Sequence, residues 1–133
     1  MNGLLSWVPT LVLAPLLIVQ GVYVRRVTPK LPEAPGSRCG ASGDGQPIRL
    51  LILGDSAAAG VGASSQSMAL SGRLAGELAA DFAVRWQLLA ESGLTTRDLI
   101  ARLADRPPEA FDVVIVSIGV NDVIAGSRTQ TWT

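Results

Sequence analysis

The chain has 133 residues, and its 11 basic and 11 acidic side chains give a formal net charge of zero. This balance argues against a nucleic-acid-binding protein, which would carry a basic excess or a basic stripe. The sequence contains no His and a single cysteine, Cys39. We therefore expect neither an intramolecular disulfide nor a metal site, and we interpret Cys39 as a lone thiol in a linker.

The first 24 residues form an apolar segment. Residues 4–24 carry no charge, and as a helix they would span about 30 Å, roughly the hydrocarbon core of a lipid bilayer. This predicts a single N-terminal membrane span. The basic residues Arg25, Arg26 and Lys30 favour a cytoplasmic position for the domain that follows. A cleaved signal peptide, which would export the domain, is the alternative, although no Lys or Arg precedes the apolar run.

Residues 25–47 are rich in proline and glycine and show no apolar periodicity. Prolines stiffen such a segment and glycines make it flexible. The sequence therefore predicts three parts: an apolar helix over residues 1–24, a linker over 25–47 and a partial α/β domain over 48–133.

The last part alternates between strand and helix patterns. Three apolar runs rich in branched residues predict buried strands, at residues 48–53, 84–89 and 111–118. Leucines and a phenylalanine spaced by four predict a helix over about 67–81. A second helix is capped by Thr95 or Thr96 and ends before Pro107-Pro108. The order β-α-β-α-β predicts a parallel sheet with right-handed crossovers.

Each predicted strand is followed by a residue that could take part in catalysis. Ser56 follows the first strand, Gly93 the second and Asn121 the third. Because ligands bind outside the carboxyl ends of parallel strands, these residues should face one crevice. A serine nucleophile and nearby N–H donors for a developing oxyanion are what a serine hydrolase requires.

Taken singly, these residues also have structural interpretations. Ser56 could merely end a strand, Gly93 could be a turn glycine, and Asn121 could bridge two loops. The carboxylates of Asp55 and Asp122 are expected to hydrogen-bond the loops that hold Ser56 and Asn121. A nucleotide-binding loop is disfavoured, because the glycine-rich stretch 54–62 lacks both the Walker A lysine and the dinucleotide-binding glycine pattern.

Together the residues resemble the SGNH hydrolases, also called GDSL-type esterases and lipases. Gly54-Asp55-Ser56 resembles the first block of that family, Gly93 the second-block glycine, and Gly119-Val120-Asn121-Asp122 the third block, G-x-N-D. The resemblance covers about residues 48–122. It implies a flavodoxin-like three-layer α/β/α sandwich with a parallel sheet, here truncated and preceded by the apolar helix.

The resemblance also implies roles for these residues. Ser56 would be the nucleophile, and its own N–H, the Gly93 N–H and the Asn121 side chain would form the oxyanion hole. The supporting residues would be Gly54, Asp55, Gly119 and Asp122. Substrates would be carboxylic esters, such as acyl lipids, acetylated sugars or small esters, and no cofactor or metal is implied.

The sequence departs from the family pattern in two places. Ala57 replaces the leucine of the GDSL motif, and nothing matches the D-x-x-H block that supplies the catalytic base. This predicts a truncated esterase that is inactive alone. In a 2-1-3 strand order the apolar third strand would lie at an edge, which predicts aggregation or a missing partner. The alternatives are a half-fold that binds a ligand without turnover and a membrane-tethered assembly module.

Overall fold

The computed structural model describes residues 8–126, with side chains from residue 12 onward. The chain divides into two compact units between Lys30 and Leu31. The first unit contains one helix, α1, over Val8–Val27, with Pro15 inside it and Arg25 and Arg26 in its last turn.

The prediction of a membrane span is wrong. Among the residues that the structure describes, no helix is both long and apolar enough to cross a bilayer. Residues 4–7 of the predicted span lie outside the described residues. The apolar membrane helix and the localisation inferred from it are therefore not supported.

The second unit is a mixed α/β structure built on a four-stranded sheet. The strands are β1 (Cys39–Ser42), β2 (Gln46–Gly54), β3 (Phe82–Ala90) and β4 (Val113–Ser117). Their order across the sheet is β1-β3-β2-β4. Strand β2 pairs in parallel with both β3 and β4, whereas β1 pairs with β3 in the antiparallel direction. The three predicted strands and their parallel pairing are confirmed, and the third lies at an edge of the sheet that the described residues form.

The described part of this unit contains four helices, two between β2 and β3, one between β3 and β4, and one after β4. They are α2 (Ser56–Ala59), α3 (Leu70–Leu78), α4 (Thr96–Ala104) and α5 (Val120–Ile124). The helix predicted from residue 67 begins later, because residues Gln66–Met68 form a separate 3-10 turn. The predicted cap of α4 is confirmed at Thr95, which forms a reciprocal capping box with Asp98.

Helices cover both faces of β2, so its side chains are buried on alternate sides. Leu50 and Ile52 pack with Ala75 of α3, whereas Leu51 and Leu53 pack with Leu99 of α4. This explains the continuous apolar run that predicted the strand, because a parallel strand covered on both faces does not alternate with polar residues.

The predicted linker contains ordered structure. Strand β1 lies within it, and Ala34 is buried. Strand β1 has no apolar pattern. It is held by backbone pairing to β3, and Gly40 lies against the indole of Trp86. Cys39 belongs to this strand and has an exposed, free thiol.

Candidate active site

The register of the sheet brings the three predicted loops to one edge. Gly54, the last residue of β2, lies opposite Ala90 of β3 and Ser117 of β4. Two hydrogen bonds extend this alignment beyond the strands: Asp55 N–H donates to the Ser117 carbonyl at 3.0 Å, and Glu91 N–H donates to the Gly54 carbonyl at 3.3 Å. The loops that contain Ser56, Gly93 and Asn121 therefore leave the sheet side by side.

Ser56 occupies the first position of α2, directly after a tight strand-to-helix turn. Asp55 caps the helix, and its Oδ1 accepts a hydrogen bond from Ala57 N–H at 3.1 Å. The carbonyl of Ser56 accepts one from Val61 N–H at 3.0 Å. Asp55 is buried while Ser56 is half-buried. The backbone on both sides of Ser56 is thus fixed, and its side chain lies at the boundary with solvent.

Gly54 makes the close approach of the β2 and β4 ends possible. A Cβ atom at this position would lie 2.1 Å from the Ser117 carbonyl oxygen and 2.7 Å from the Ala58 Cβ. Real Cβ atoms do not approach other atoms so closely, so only glycine fits here. The conformation that holds Ser56 beside β4 therefore depends on the absence of a side chain at Gly54.

Gly93 lies in an exposed turn after β3. Its φ angle is +90°, a conformation that residues with a Cβ rarely adopt. A Cβ built at Gly93 would meet no atom within 4 Å among the described residues. The glycine is therefore required for its backbone conformation, and the space beside its backbone is open.

Helix α5 is attached to the same turn. It begins after Gly119, whose φ is +130°, and Asn121 Nδ2 donates to the Leu94 carbonyl at 2.9 Å. An amide nitrogen carries two hydrogens, so one remains for a second acceptor. This contact places Asn121 against the residue that follows Gly93.

The buried Asp122 strengthens that attachment. Its carboxylate accepts hydrogen bonds from the Thr96 N–H at 3.0 and 3.2 Å and from the Thr96 hydroxyl at 3.0 Å. Asp122 therefore connects α5 to the start of α4, which is the kind of contact that a supporting role requires. Asp55 likewise accepts a hydrogen bond from a backbone N–H, that of Ala57, so both carboxylates fix local backbone geometry.

Sequence reasoning missed Gln66, a buried side chain beneath the Ser56 turn. Its Nε2 donates to the carbonyls of Ala34 and Ala59 at 3.1 and 3.0 Å, and its Oε1 accepts from the Ser71 hydroxyl at 2.8 Å. Every polar atom of the side chain is thus paired. Gln66 connects the end of α2 to the segment before β1.

Sequence reasoning also missed Glu33. Its Oε1 accepts a hydrogen bond from Ser92 N–H at 2.6 Å, and its Oε2 pairs with Arg38. The Ser92 N–H holds the pKa of Glu33 below its ordinary value, and Arg38 acts in the same direction. The nearby Arg38 gives no sign of this contact, because the group that connects Glu33 to the site is the Ser92 N–H, far away along the chain.

Two surface cavities lie away from the three predicted site residues. Two cavities of about 340 and 470 Å³ are found toward the amino ends of β2 and β3, and Arg49 and Arg85 line both. Neither contains Ser56, Gly93 or Asn121. Among the described residues, no group of three or more acidic or cysteine side chains could hold a metal ion.

Comparison with known proteins gives one family. A family model described as the GDSL-like Lipase/Acylhydrolase family matches residues 52–133, a stretch that includes Ser56, Gly93 and Asn121. The match confirms the resemblance seen in the three sequence blocks. No curated protein matches the chain.

Proposed function

Since the chain belongs to the GDSL-like Lipase/Acylhydrolase family, we propose that it is an SGNH-type serine esterase acting on carboxylic esters. The main support is the alignment of Gly54 with Ala90 and Ser117, which puts the three predicted catalytic loops at one edge of the sheet. In this proposal the domain is the first part of a flavodoxin-like α/β/α sandwich. The substrates are acyl lipids, acetylated sugars or small esters.

The proposed chemistry begins with attack of the Ser56 hydroxyl oxygen on the ester carbonyl carbon. The carbonyl oxygen becomes an oxyanion, which accepts hydrogen bonds from the Ser56 N–H, the Gly93 N–H and the free Nδ2 hydrogen of Asn121. Collapse of this intermediate breaks the bond to the alcohol oxygen, which leaves as an alkoxide and takes a proton from water, and an acyl group remains on Ser56. The open space beside Gly93 leaves room for the substrate carbonyl to approach.

The proton of the Ser56 hydroxyl requires an acceptor, and the 133 residues contain no histidine that could serve as one. Asp55 and Asp122 already accept hydrogen bonds from backbone N–H groups, so neither is assigned this role. We therefore propose that the chain is a truncated form in which hydroxide or an added base takes the proton. Loss of triad members costs serine hydrolases several powers of ten in rate, so acylation should be slow and turnover very slow.

The test is stoichiometric acylation. The 133-residue chain is incubated with p-nitrophenyl acetate in alkaline buffer, and the acetyl adduct is measured by intact mass and located by peptide mapping. We expect one acetyl group on Ser56 and none there in Ser56→Ala. Ser64→Ala removes an exposed serine from the following loop and should react like the parent chain. Acetylation that is unchanged in Ser56→Ala would refute the assignment.

A second function is favoured by the absence of histidine. In this alternative the half-fold binds an acyl ligand at the same edge without transferring it. The chain would then bind octanoate saturably, Asn121→Ala would weaken that binding, and no acetyl group would appear on Ser56. Acylation of Ser56 would exclude this alternative as a complete account of the site.

A further inference from the structure

Glu33 and Arg38 hold the backbone where β3 ends. Glu33 Oε1 accepts the Ser92 N–H at 2.6 Å, and Glu33 Oε2 pairs with the guanidinium of Arg38. Another nitrogen of that guanidinium donates to the Ala90 carbonyl. The Arg38 carbonyl also accepts from Leu88 N–H at 2.7 Å. Two side chains from the segment before β1 therefore fix the chain on either side of Glu91.

Asn121 holds the same turn from the other side. Its amide donates to the Leu94 carbonyl at 2.9 Å. Gly93 thus lies between Ser92, which is bonded to Glu33, and Leu94, which is bonded to Asn121. Gly93 has no side chain of its own to restrict it, and its positive φ lies in a region where glycine moves freely. The direction of its N–H therefore depends on these two neighbours and on the turn around it, which a hydrogen bond from Leu94 N–H to the Glu91 carbonyl closes at 3.3 Å.

We propose that Glu33 is a positioning residue that fixes the Gly93 N–H toward the reacting carbonyl, an inference that rests on the function proposed above. Oxyanion donors accelerate a reaction because they are already oriented before charge develops. A displacement of about 1 Å at such a donor can cost about a hundredfold in rate. Arg38 contributes by holding the Glu33 carboxylate in place, and neither side chain touches the substrate.

The test measures how fast Ser56 reacts with an alkyl phosphonofluoridate. In this reaction the Ser56 oxygen bonds to phosphorus, the P–F bond breaks, fluoride leaves and the hydroxyl proton passes to hydroxide. The transition state places negative charge on the phosphonyl oxygen, so the rate of labelling depends on the oxyanion donors. The rate is measured by intact mass for the parent chain, Ser56→Ala, Glu33→Ala, Glu33→Gln and Glu77→Gln.

We expect Glu33→Ala to react about tenfold more slowly than the parent chain, because the donor is loosened rather than removed. Glu33→Gln keeps an acceptor for the Ser92 N–H and should recover part of the rate. Glu77→Gln, which changes an exposed carboxylate on α3, should react like the parent. Equal rates in Glu33→Ala and the parent would overturn the inference while leaving the proposed function intact. A parent chain that is not labelled at Ser56 would overturn both.

An amide NMR spectrum separates positioning from general loss of structure. We expect Glu33→Ala to shift the Ser92 and Gly93 amide signals while the amides of α3 stay unchanged. Glu33→Gln should give a smaller shift in the same direction. Shifts spread over the whole sheet, or slower labelling with unmoved Ser92 and Gly93 signals, would count against a positioning role.

Discussion

The two outer strands of the sheet differ in composition and in pairing direction. Strand β1 has the sequence Cys-Gly-Ala-Ser and runs antiparallel to β3. Strand β4 has the sequence Val-Val-Ile-Val-Ser and runs parallel to β2. A short length is one feature of protected edge strands, whereas exposed apolar edges favour association. In β4, Val114 and Val116 are 49% and 57% exposed.

This difference matters for the site, because the candidate oxyanion donor Asn121 follows β4, the strand with the exposed apolar edge. Helix α5 is attached by side-chain contacts to Leu94 and Thr96. The position of β4 itself depends on its junction with β2 at Gly54. The segment before β1, by contrast, supports the Gly93 turn through Glu33, whose carboxylate Arg38 holds. Changes at the two edges should therefore have effects of different size and kind.

The largest effect is expected for Gly54→Ala, which breaks the β4 side. The new Cβ would overlap the Ser117 carbonyl oxygen, at 2.1 Å, and neither backbone can move away without losing the Asp55 to Ser117 hydrogen bond. We expect a loss of about 3 kcal/mol in the free energy of unfolding, measured by urea denaturation. Gly76→Ala, in α3 with no atom near the new Cβ, should be neutral or stabilising by up to about 1 kcal/mol. Equal stability of the two variants would contradict this account.

A smaller effect is expected for Gly40→Ala, which disturbs the β1 side. The new Cβ would lie 2.9 Å from Nε1 of Trp86, a side chain that can shift where a backbone cannot. We expect a loss of about 1 kcal/mol and a change in Trp86 fluorescence. Ala41→Ser changes an exposed neighbour in β1 and should alter neither. An unchanged emission spectrum in Gly40→Ala would show that the indole does not cover the glycine.

The same contrast explains how far the sequence predicts the fold. Strand β4 is recognisable because its apolar side chains form a pattern, and so are β2 and β3. Strand β1 lacks one: its pairing uses backbone groups, and its fit to Trp86 depends on a missing Cβ at Gly40. Nothing in residues 39–42 themselves encodes the strand with which they pair.

The candidate site divides in a similar way. Ser56, Gly93 and Asn121 are predictable, because each follows a strand whose pattern is local and whose end lies at a known edge of a parallel sheet. Glu33 and Gln66 are not. Each also has a side-chain partner five residues away, but the contacts that connect them to the site are to backbone groups: the Ser92 N–H and the Ala34 and Ala59 carbonyls. Backbone groups carry no residue-type signal, so sequence offers no means of pairing them with a distant side chain.

Val116→Lys tests the β4 edge by the self-association of the chain rather than by its free energy of unfolding. Because Val116 is largely exposed, we expect the free energy of unfolding to change by less than about 0.5 kcal/mol. A charge on an exposed edge strand opposes pairing with another chain, so light scattering at high protein concentration should fall. Ile100→Lys removes an equally exposed apolar residue from α4. An equal fall in scattering for Ile100→Lys would show that general surface hydrophobicity, and not the strand edge, drives association.

The smallest effect is expected at the start of β4, where Asp112 joins the strand to β2. Its Oδ2 accepts the Arg49 N–H at 2.7 Å, and its own N–H donates to the Arg49 carbonyl at 2.9 Å. The Arg49 N–H, and secondly the Arg49 side chain, holds the pKa of Asp112 below its ordinary value.

A carboxyl group whose pKa is lower in the folded chain than in the unfolded chain stabilises the fold above the unfolded pKa. That stabilisation is lost as the pH falls through the folded value. The difference in unfolding free energy between the parent and Asp112→Asn should therefore be constant above about pH 5 and shrink below about pH 4. Asp44→Asn, in the exposed turn between β1 and β2, controls for the loss of one negative charge. If the Asp112→Asn difference did not change between neutral and acidic pH, the ionised carboxylate would not be what holds the open edge strand to β2.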